Sequence, residues 1–304
     1  MKQTLGQTGL EVSRIALGYM RMATLTPQEA AKVLDAAAQV GIDFFDHADI
    51  YGGGESERRF AQACKLLGRK REERFLQSKC GIRKGYFDFS KEHIISSVEG
   101  ILSRLETDYL DVLALHRPDA LMEAEEVAEA FYQLKKAGKV RHFGVSNQNI
   151  YQMELLQSYL EAPLAVNQLQ FSPAHTPLLD AGLHVNMKED AATMRDGGLL
   201  DYCQLKNITV QAWSPFLISL QKGIFIDHPD YEALNQAVAD LAAQYNVSCE
   251  AIIVAWIMRH PANIQTIVGS MNPERIQKIA QAGTIQLTRP EWYRIYQKAG
   301  NTLP

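Results

Sequence analysis

The chain has 304 residues, 46% of them hydrophobic and 22% charged, a balance that suits one large domain or two ordinary ones around a well-buried core. A formal net charge of −4 and an isoelectric point near 6.1 leave no basic excess, so neither nucleic acid nor an anionic membrane is an expected partner. No apolar run follows the first lysine, no stretch of about 20 apolar residues occurs, and Cys64, Cys80, Cys203 and Cys249 form no CxxC; a cytoplasmic protein with reduced thiols and no metal site is expected.

Along the chain, the first pattern is a small hairpin over 3–5 and 10–13, turning at Gly6-Gln7-Thr8-Gly9. RIAL at 14–17 is the first of eight short apolar runs of strand length. A helix over 27–40 opens with Thr26-Pro27-Gln28-Glu29, the spacing of a capping box, and stops at Gly41. DFFD at 43–46 and RFLQSK at 74–79 are the next two runs. The helix over 92–105 places Ile94, Ile95, Val98, Ile101, Leu102 and Leu105 on one stripe of 3.6-residue period. YLDVLALH at 109–116 precedes a helix over 124–137, which ends at Gly138. Four more runs follow: KVRHFGV at 139–145, LAVNQ at 164–168, ITVQAW at 208–213 and IQTIV at 264–268. A helix over 273–282 starts at Asn272-Pro273, and a last one is expected near Pro290–Lys298.

Strand–helix alternation repeated eight times reads as parallel strands joined by crossover helices. An open doubly wound sheet gives a similar pattern. No GxGxxG follows the first strand, however, and the count of eight favours closure. The expected architecture is α/β: one domain over 1–304, a (β/α)8 TIM barrel with an N-terminal β-hairpin cap and an extra C-terminal helix.

In such a barrel the reacting groups stand at the C-terminal ends of the strands. The second strand is followed by Asp46-His47-Ala48-Asp49-Ile50-Tyr51-Gly52-Gly53-Gly54-Glu55. The third ends at Lys79, the fourth at His116, the fifth in Gly144-Val145-Ser146-Asn147 and the sixth in Asn167-Gln168. The seventh ends in Trp213-Ser214-Pro215 and the eighth in Gly269-Ser270. A tyrosine ordinarily titrates near ~10, and a nearby ammonium lowers that value. Lys79 is the candidate ammonium, Asp46 its counter-ion, Tyr51 the proton donor and His116 the group that orients a carbonyl oxygen. This set suits hydride delivery to a carbonyl carbon, and none of the four side chains carries a hydride, so a cofactor must.

These residues, in this order, resemble the aldo-keto reductase superfamily, whose tetrad of Asp, Tyr, Lys and His maps onto Asp46, Tyr51, Lys79 and His116. The wording DHADIYGG is that of one bacterial branch. The resemblance covers residues 3–283 and implies an NADPH-dependent reductase acting on a small carbonyl substrate. It further implies that Ser146, Asn147 and Gln168 hold the nicotinamide carboxamide and that Trp213 stacks on the ring. Gly18 and Tyr19 would approach the ring and the substrate. Ser214, Pro215, Phe216 and Leu217 would pass the pyrophosphate, where SPFLISLQKG lacks the glycine-rich run of many relatives. Gly269, Ser270 and Arg275, within VGSMNPERI, would serve the adenosine phosphate, because a helix N-terminus and an Arg fork both favour the 2′-phosphate of NADPH.

Other readings stay open at this point. Lys79 could form a Schiff base, as in an aldolase-type barrel. The chain could bind cofactor chiefly for regulation or assembly, like the channel β-subunits of the same superfamily. Gly52-Gly53-Gly54 reads as a flexible turn, Glu55 as a structural residue opening a helix, and His142 as structural. His47 is a secondary candidate for touching substrate. Substrate choice is expected to lie in loops 117–123, 169–206 and 216–230 and in the tail; the second carries His175, His184 and Met187.

Overall fold

The computed structural model describes residues 1–185, 190, 197–219 and 221–301, so Met187 lies outside the described residues. Strands β1 (Lys2–Thr4) and β2 (Glu11–Ser13) pair antiparallel as the hairpin. Its turn fits only glycine at position 6: φ there is +50°, and a β-carbon would lie 2.5 Å from the Ala165 carbonyl oxygen. The Gly6 amide donates to Thr209 Oγ1 at 2.7 Å, which seats the hairpin across the N-terminal end of the barrel.

The barrel strands are β3 (Ile15–Gly18), β4 (Phe44–Asp46) and β5 (Phe75–Cys80), then, after a ribbon of β6 (Ile82–Arg83) and β7 (Tyr86–Phe87), β8 (Leu110–Leu115). They continue with β9 (Val140–Ser146), β10 (Val166–Gln170) and β11 (Thr209–Trp213). A second ribbon of β12 (Leu217–Ser219) and β13 (Gly223–Ile224) precedes β14 (Gln265–Val268). In space they run β10-β11-β14-β3-β4-β5-β8-β9 and close, every barrel pair parallel. Val, Ile, Leu and Phe fill these strands because both faces are covered, one by the barrel interior and one by helices.

The surrounding helices are α1 (Pro27–Gln39), α2 (Glu55–Leu66), α3 (Lys91–Leu105), α4 (Ala124–Lys136) and α5 (Ile150–Gln157). Then come α6 (Pro177–Leu183), α7 (Leu199–Leu205), α8 (Glu232–Tyr245), α9 (Cys249–Met258), α10 (Pro273–Ala280) and α11 (Arg289–Lys298). The Thr26/Glu29 capping box forms on α1, and further boxes open α5 (Asn149/Gln152) and α11 (Thr288/Glu291). Helix α9 is apolar all round and buried from Ala251 to Met258. The tail helix covers it: Trp292 stacks on Trp256 with centroids 4.7 Å apart, and each indole N–H donates to the other's carbonyl at 2.9 Å. Among the described residues, no single helix is long and apolar enough to cross a membrane, and no group of three or more metal-ligating side chains forms.

Candidate active site

The hairpin covers the N-terminal end of the barrel, so the chemistry-bearing side chains gather at the other. Neighbouring strands β4 and β5 bring Asp46 and Lys79 together. The fully buried Lys79 ammonium donates to both Asp46 oxygens at 2.8 Å, to the His47 carbonyl at 2.6 Å and to Tyr51 Oη at 3.4 Å. Tyr51 reaches back to the strand ends through a tight turn in which its amide donates to the Ala48 carbonyl at 3.1 Å. Gly52, Gly53 and Gly54 then take φ of 58°, 64° and 92° in succession. Three left-handed residues in a row cost any side chain dearly, and a β-carbon on Gly52 would lie 2.5 Å from Ala23 Cβ. The glycine run is therefore a shaped turn rather than a flexible one. Glu55 opens α2 and pairs with Arg58 at 3.5 Å, a structural position.

His116 is placed by its amide, which donates to the Cys80 carbonyl at 2.9 Å. Its ring meets Tyr51 edge to face, centroids 5.9 Å apart, and its Nδ1 is buried with no partner. Burial first, then the Lys79 and Arg117 charges, push the imidazole down to about 2. His116 is thus neutral around neutral pH. The rate profile kcat/KM between pH 5 and 8 should therefore show no limb near ~6.5, where a free histidine titrates; a limb there would mean the imidazole charges during turnover.

The Tyr51 phenol departs from the sequence expectation. Lys79 does draw it down, but burial outweighs that pull and the net shift is upward. Burial would likewise depress Lys79, yet Asp46 and Tyr51 together hold its ammonium above the ordinary lysine range. The site at neutral pH therefore holds a protonated phenol against a permanent cation: a stored proton, with compensation ready for the charge its loss leaves behind.

The aldo/keto reductase family model matches residues 14–299. The chain belongs to that family. Oxidoreductase YdhF of Escherichia coli is 37% identical to it, over 97% of this chain and 96% of the relative. The 6-dehydroglucose reductase of Agrobacterium fabrum is 32% identical over 95% of each. Among solved structures, an aldo-keto reductase from Klebsiella pneumoniae in complex with NADPH is 24% identical, with a TM-score of 0.76 over 98% of this chain and 95% of that one.

As an aldo/keto reductase the chain has a further polar layer that the sequence did not reveal. Gln77 Nε2 donates to Asp46 Oδ1 and to Gln211 Oε1, both at 2.7 Å. Gln168 Nε2 reaches the same two atoms at 3.2 Å. Gln211 donates to Gln265 Oε1 at 2.8 Å, and Gln265 to the Ser13 carbonyl at 2.8 Å. This buried chain of amides runs from Asp46 towards the hairpin.

The residues carried over from the family resemblance stand at several separate places around the strand ends. Ser146, Asn147 and Gln168 stand together at the ends of β9 and β10. Ser146 Oγ donates to the Gln168 carbonyl at 2.9 Å, and Asn147 Nδ2 donates to Ser146 Oγ at 2.7 Å. Trp213 is half-buried at the end of β11 with its indole N–H unpartnered, and Ser214 beyond it takes φ +49°, a strained angle for serine. Gly18 lies beside Asp46: a β-carbon there would be 3.9 Å from Asp46 Oδ2 and 3.0 Å from Ile267. Pro215 is buried, and Phe216 and Leu217 lead into β12. Leu217 donates its amide to the Ser214 carbonyl at 3.0 Å, so a short ribbon replaces the glycine-rich run. Gly269 and Arg275 are exposed and Ser270 half-buried at the start of α10, where Asn272 accepts the Arg275 amide at 3.0 Å.

One expectation is corrected, and the secondary candidate His47 falls in the core. The Tyr19 ring does not face the opening: it is fully buried, 5.1 Å from Phe60 and 5.0 Å from His47, because the chain past β3 turns it outward under α2. His47 is equally buried, and burial first drives its imidazole down to about 3, so it is a neutral core residue. Of the remaining histidines, His184 is buried, while His142 and His175 are half-buried.

The contacts of Glu250 and Arg117 beside these groups, and the shift of Asp49, escaped the sequence reading. Burial, with Glu57 adding, raises the Asp49 carboxyl to about 7. Glu250 on α9 sits 3.5 Å from Arg275 Nε. The Arg117 guanidinium lies over Trp213, 5.7 Å from its ring centroid. The Arg117–Trp213 and Glu250–Arg275 pairs carry no local pattern; both are brought together by the closure of the barrel.

Proposed function

We propose that this oxidoreductase is an NADPH-dependent carbonyl reductase that converts aldehydes or ketones to alcohols. The observation that carries the reading is the buried contact of Asp46, Lys79 and Tyr51 beside a neutral His116 at the strand C-termini. The residues present fit a nicotinamide cofactor. There is an unpartnered indole at Trp213, an amide and hydroxyl cluster at Ser146, Asn147 and Gln168, a side-chain-free position at Gly18, and a capped helix N-terminus with Arg275 at Ser270. NADPH, when bound, supplies the hydride that the protein lacks. A neutral His116 N–H and the Tyr51 O–H hold the carbonyl oxygen. Tyr51 gives that oxygen its proton and is left as a phenolate beside the Lys79 ammonium. Asp46 keeps the ammonium in place.

The geometry also disfavours a Schiff base. An amine must shed its proton to attack a carbonyl, whereas Lys79 is buried against a carboxylate that keeps it charged. Borohydride with a carbonyl substrate should therefore leave Lys79 unmodified by mass spectrometry. NADPH oxidation with a panel of aldehydes, ketones and sugar aldehydes, repeated with NADH, tests the reading directly. Absence of turnover across the panel would favour a cofactor-binding role without reduction.

Cofactor choice rests on Ser270, Arg275 and the N-terminus of α10. Arg275→Ala should weaken NADPH by about 10-fold, the scale of one charged hydrogen bond, and leave NADH nearly unaffected. The effect is held to that lower figure because Glu250 already shares the guanidinium and the side chain is 58% exposed. Fluorescence titration of both cofactors decides it; equal losses would remove the 2′-phosphate from the role of Arg275.

A further inference from the structure

We propose that Arg117 is a specificity-determining residue of this site, and that it selects carbonyl substrates carrying a carboxylate or similar anionic oxygen group. The inference rests on the reductase reading and adds the substrate class. Arg117 directly follows His116, so its side chain rises from the same strand end as a residue of the reacting set. Its guanidinium lies over the Trp213 ring at 5.7 Å. Both Tyr51 and His116 feel its charge, which lowers the Tyr51 phenol and adds to the depression of His116 after burial and Lys79.

Among the described residues, no carboxylate lies within ion-pair distance of Arg117. Asp119, two residues on, is occupied elsewhere, accepting the Phe89 amide at 3.0 Å and the Leu121 amide at 2.9 Å. The other charges of the site balance, since Lys79 is matched by Asp46. One half-buried positive charge therefore remains at the wall, with the unpartnered Trp213 N–H beside it. A guanidinium fork pairs best with a planar carboxylate or a phosphate, and a partly desolvated cation gains most from a charged partner.

Two sources could supply that anion: the substrate, or a phosphate of the cofactor. Placement beside Tyr51 and His116, with α10 and Arg275 elsewhere to serve the 2′-phosphate, favours the substrate. The test uses the full chain and three aldehydes: succinic semialdehyde, butanal and glyceraldehyde, which are anionic, neutral and hydroxylated. In the parent, kcat/KM for succinic semialdehyde should exceed that for butanal by about 10-fold or more, and Arg117→Leu should collapse that ratio by about 10- to 100-fold. Arg117→Lys, which keeps charge but loses the fork, should fall between the two. A second arm needs no turnover. Trp256 and Trp292 are buried, so Trp213 is the tryptophan placed to report occupancy. Succinate should change the emission saturably in the parent and not in Arg117→Leu. A parent ratio near one, a ratio untouched by Arg117→Leu, or no saturable succinate signal overturns the proposal. So does glyceraldehyde outperforming succinic semialdehyde, which would assign Arg117 to hydroxyl recognition. Loss of NADPH affinity equal to the loss of turnover on all three aldehydes would assign the anion to the cofactor instead. If none of the aldehydes is reduced, the reductase reading fails while the succinate titration still decides Arg117.

Discussion

Tyr51→Phe should lower kcat by about 100-fold or more, the range for losing a general acid and equivalent to roughly 2.7 kcal/mol in the barrier. NADPH affinity should stay within about twofold, measured by fluorescence titration. The phenol oxygen touches only Lys79 among the described hydrogen bonds, so the variant should fold as the parent does. The pH dependence gives a second readout. On the proposed mechanism reduction needs Tyr51 protonated, and burial first holds its phenol above the ordinary tyrosine value. The rate of reduction should therefore hold through neutral pH and fall only above ~10. That alkaline limb should vanish in the Phe variant. Parent-like turnover by Tyr51→Phe would show that the proton comes from another group.

Lys79→Met should do more damage, because it strikes both stability and rate. It leaves the buried Asp46 carboxylate with amide donors but no counter-charge, a change that costs about 3–5 kcal/mol when one partner of a buried ion pair is removed. Thermal or urea unfolding would measure it. Lys79 titrates above its ordinary value in the folded protein. Its contribution to stability is therefore complete below the free-lysine value of ~10.4 and fades as pH rises through the folded one, so the deficit of the variant should shrink only in strong alkali. Pairing Lys79→Met with Asp46→Asn should recover much of the stability but none of the rate. Recovery of both would reduce the pair to a structural role. In the single variant the alkaline limb of Tyr51 should also move upward, since the cation that draws the phenol down is gone.

The barrel was legible because a strand–turn–helix alternation writes itself into short apolar runs punctuated by caps. All eight expected runs overlap the strands that close, and the tail helix starts within one residue of its expected place. What escaped lacked a period to read. Helix α9 is apolar on every side from Ala251 to Met258, so it has no stripe. The ribbons β6–β7 and β12–β13 contain strands of two or three residues, too short to alternate. At the site, strand-end position located Asp46, Tyr51, Lys79 and His116 together, since those ends converge in any such barrel. Position past a strand says less about direction, and Tyr19 turned outward. The sign of the Tyr51 shift was also hidden: it weighs two large opposed effects, and the depth of burial is known only once the chain is folded. Arg117 over Trp213 and Glu250 against Arg275 join residues 96 and 25 positions apart, and no local rule anticipates such pairs.

The amide chain inside the barrel has one allowed sense. Asp46 can only accept, so the nitrogen ends of Gln77 and Gln168 must turn towards it. Their second protons then fall on Gln211 Oε1, which turns the Gln211 nitrogen to Gln265 and the Gln265 nitrogen to the Ser13 carbonyl, an acceptor at the far end. A single carboxylate thus aligns a column of neutral dipoles through the barrel, as one tile sets the fall of a row. The alignment leaves a remainder: Gln77 Oε1 is buried without a donor, a cost of about 1–3 kcal/mol that no local rotation relieves without breaking a bond elsewhere. Asp46→Asn would remove the compulsion. Its amide can donate as well as accept, so the column could relax into the opposite sense, and the charge that now polarises the interior from the catalytic end to the hairpin would be gone.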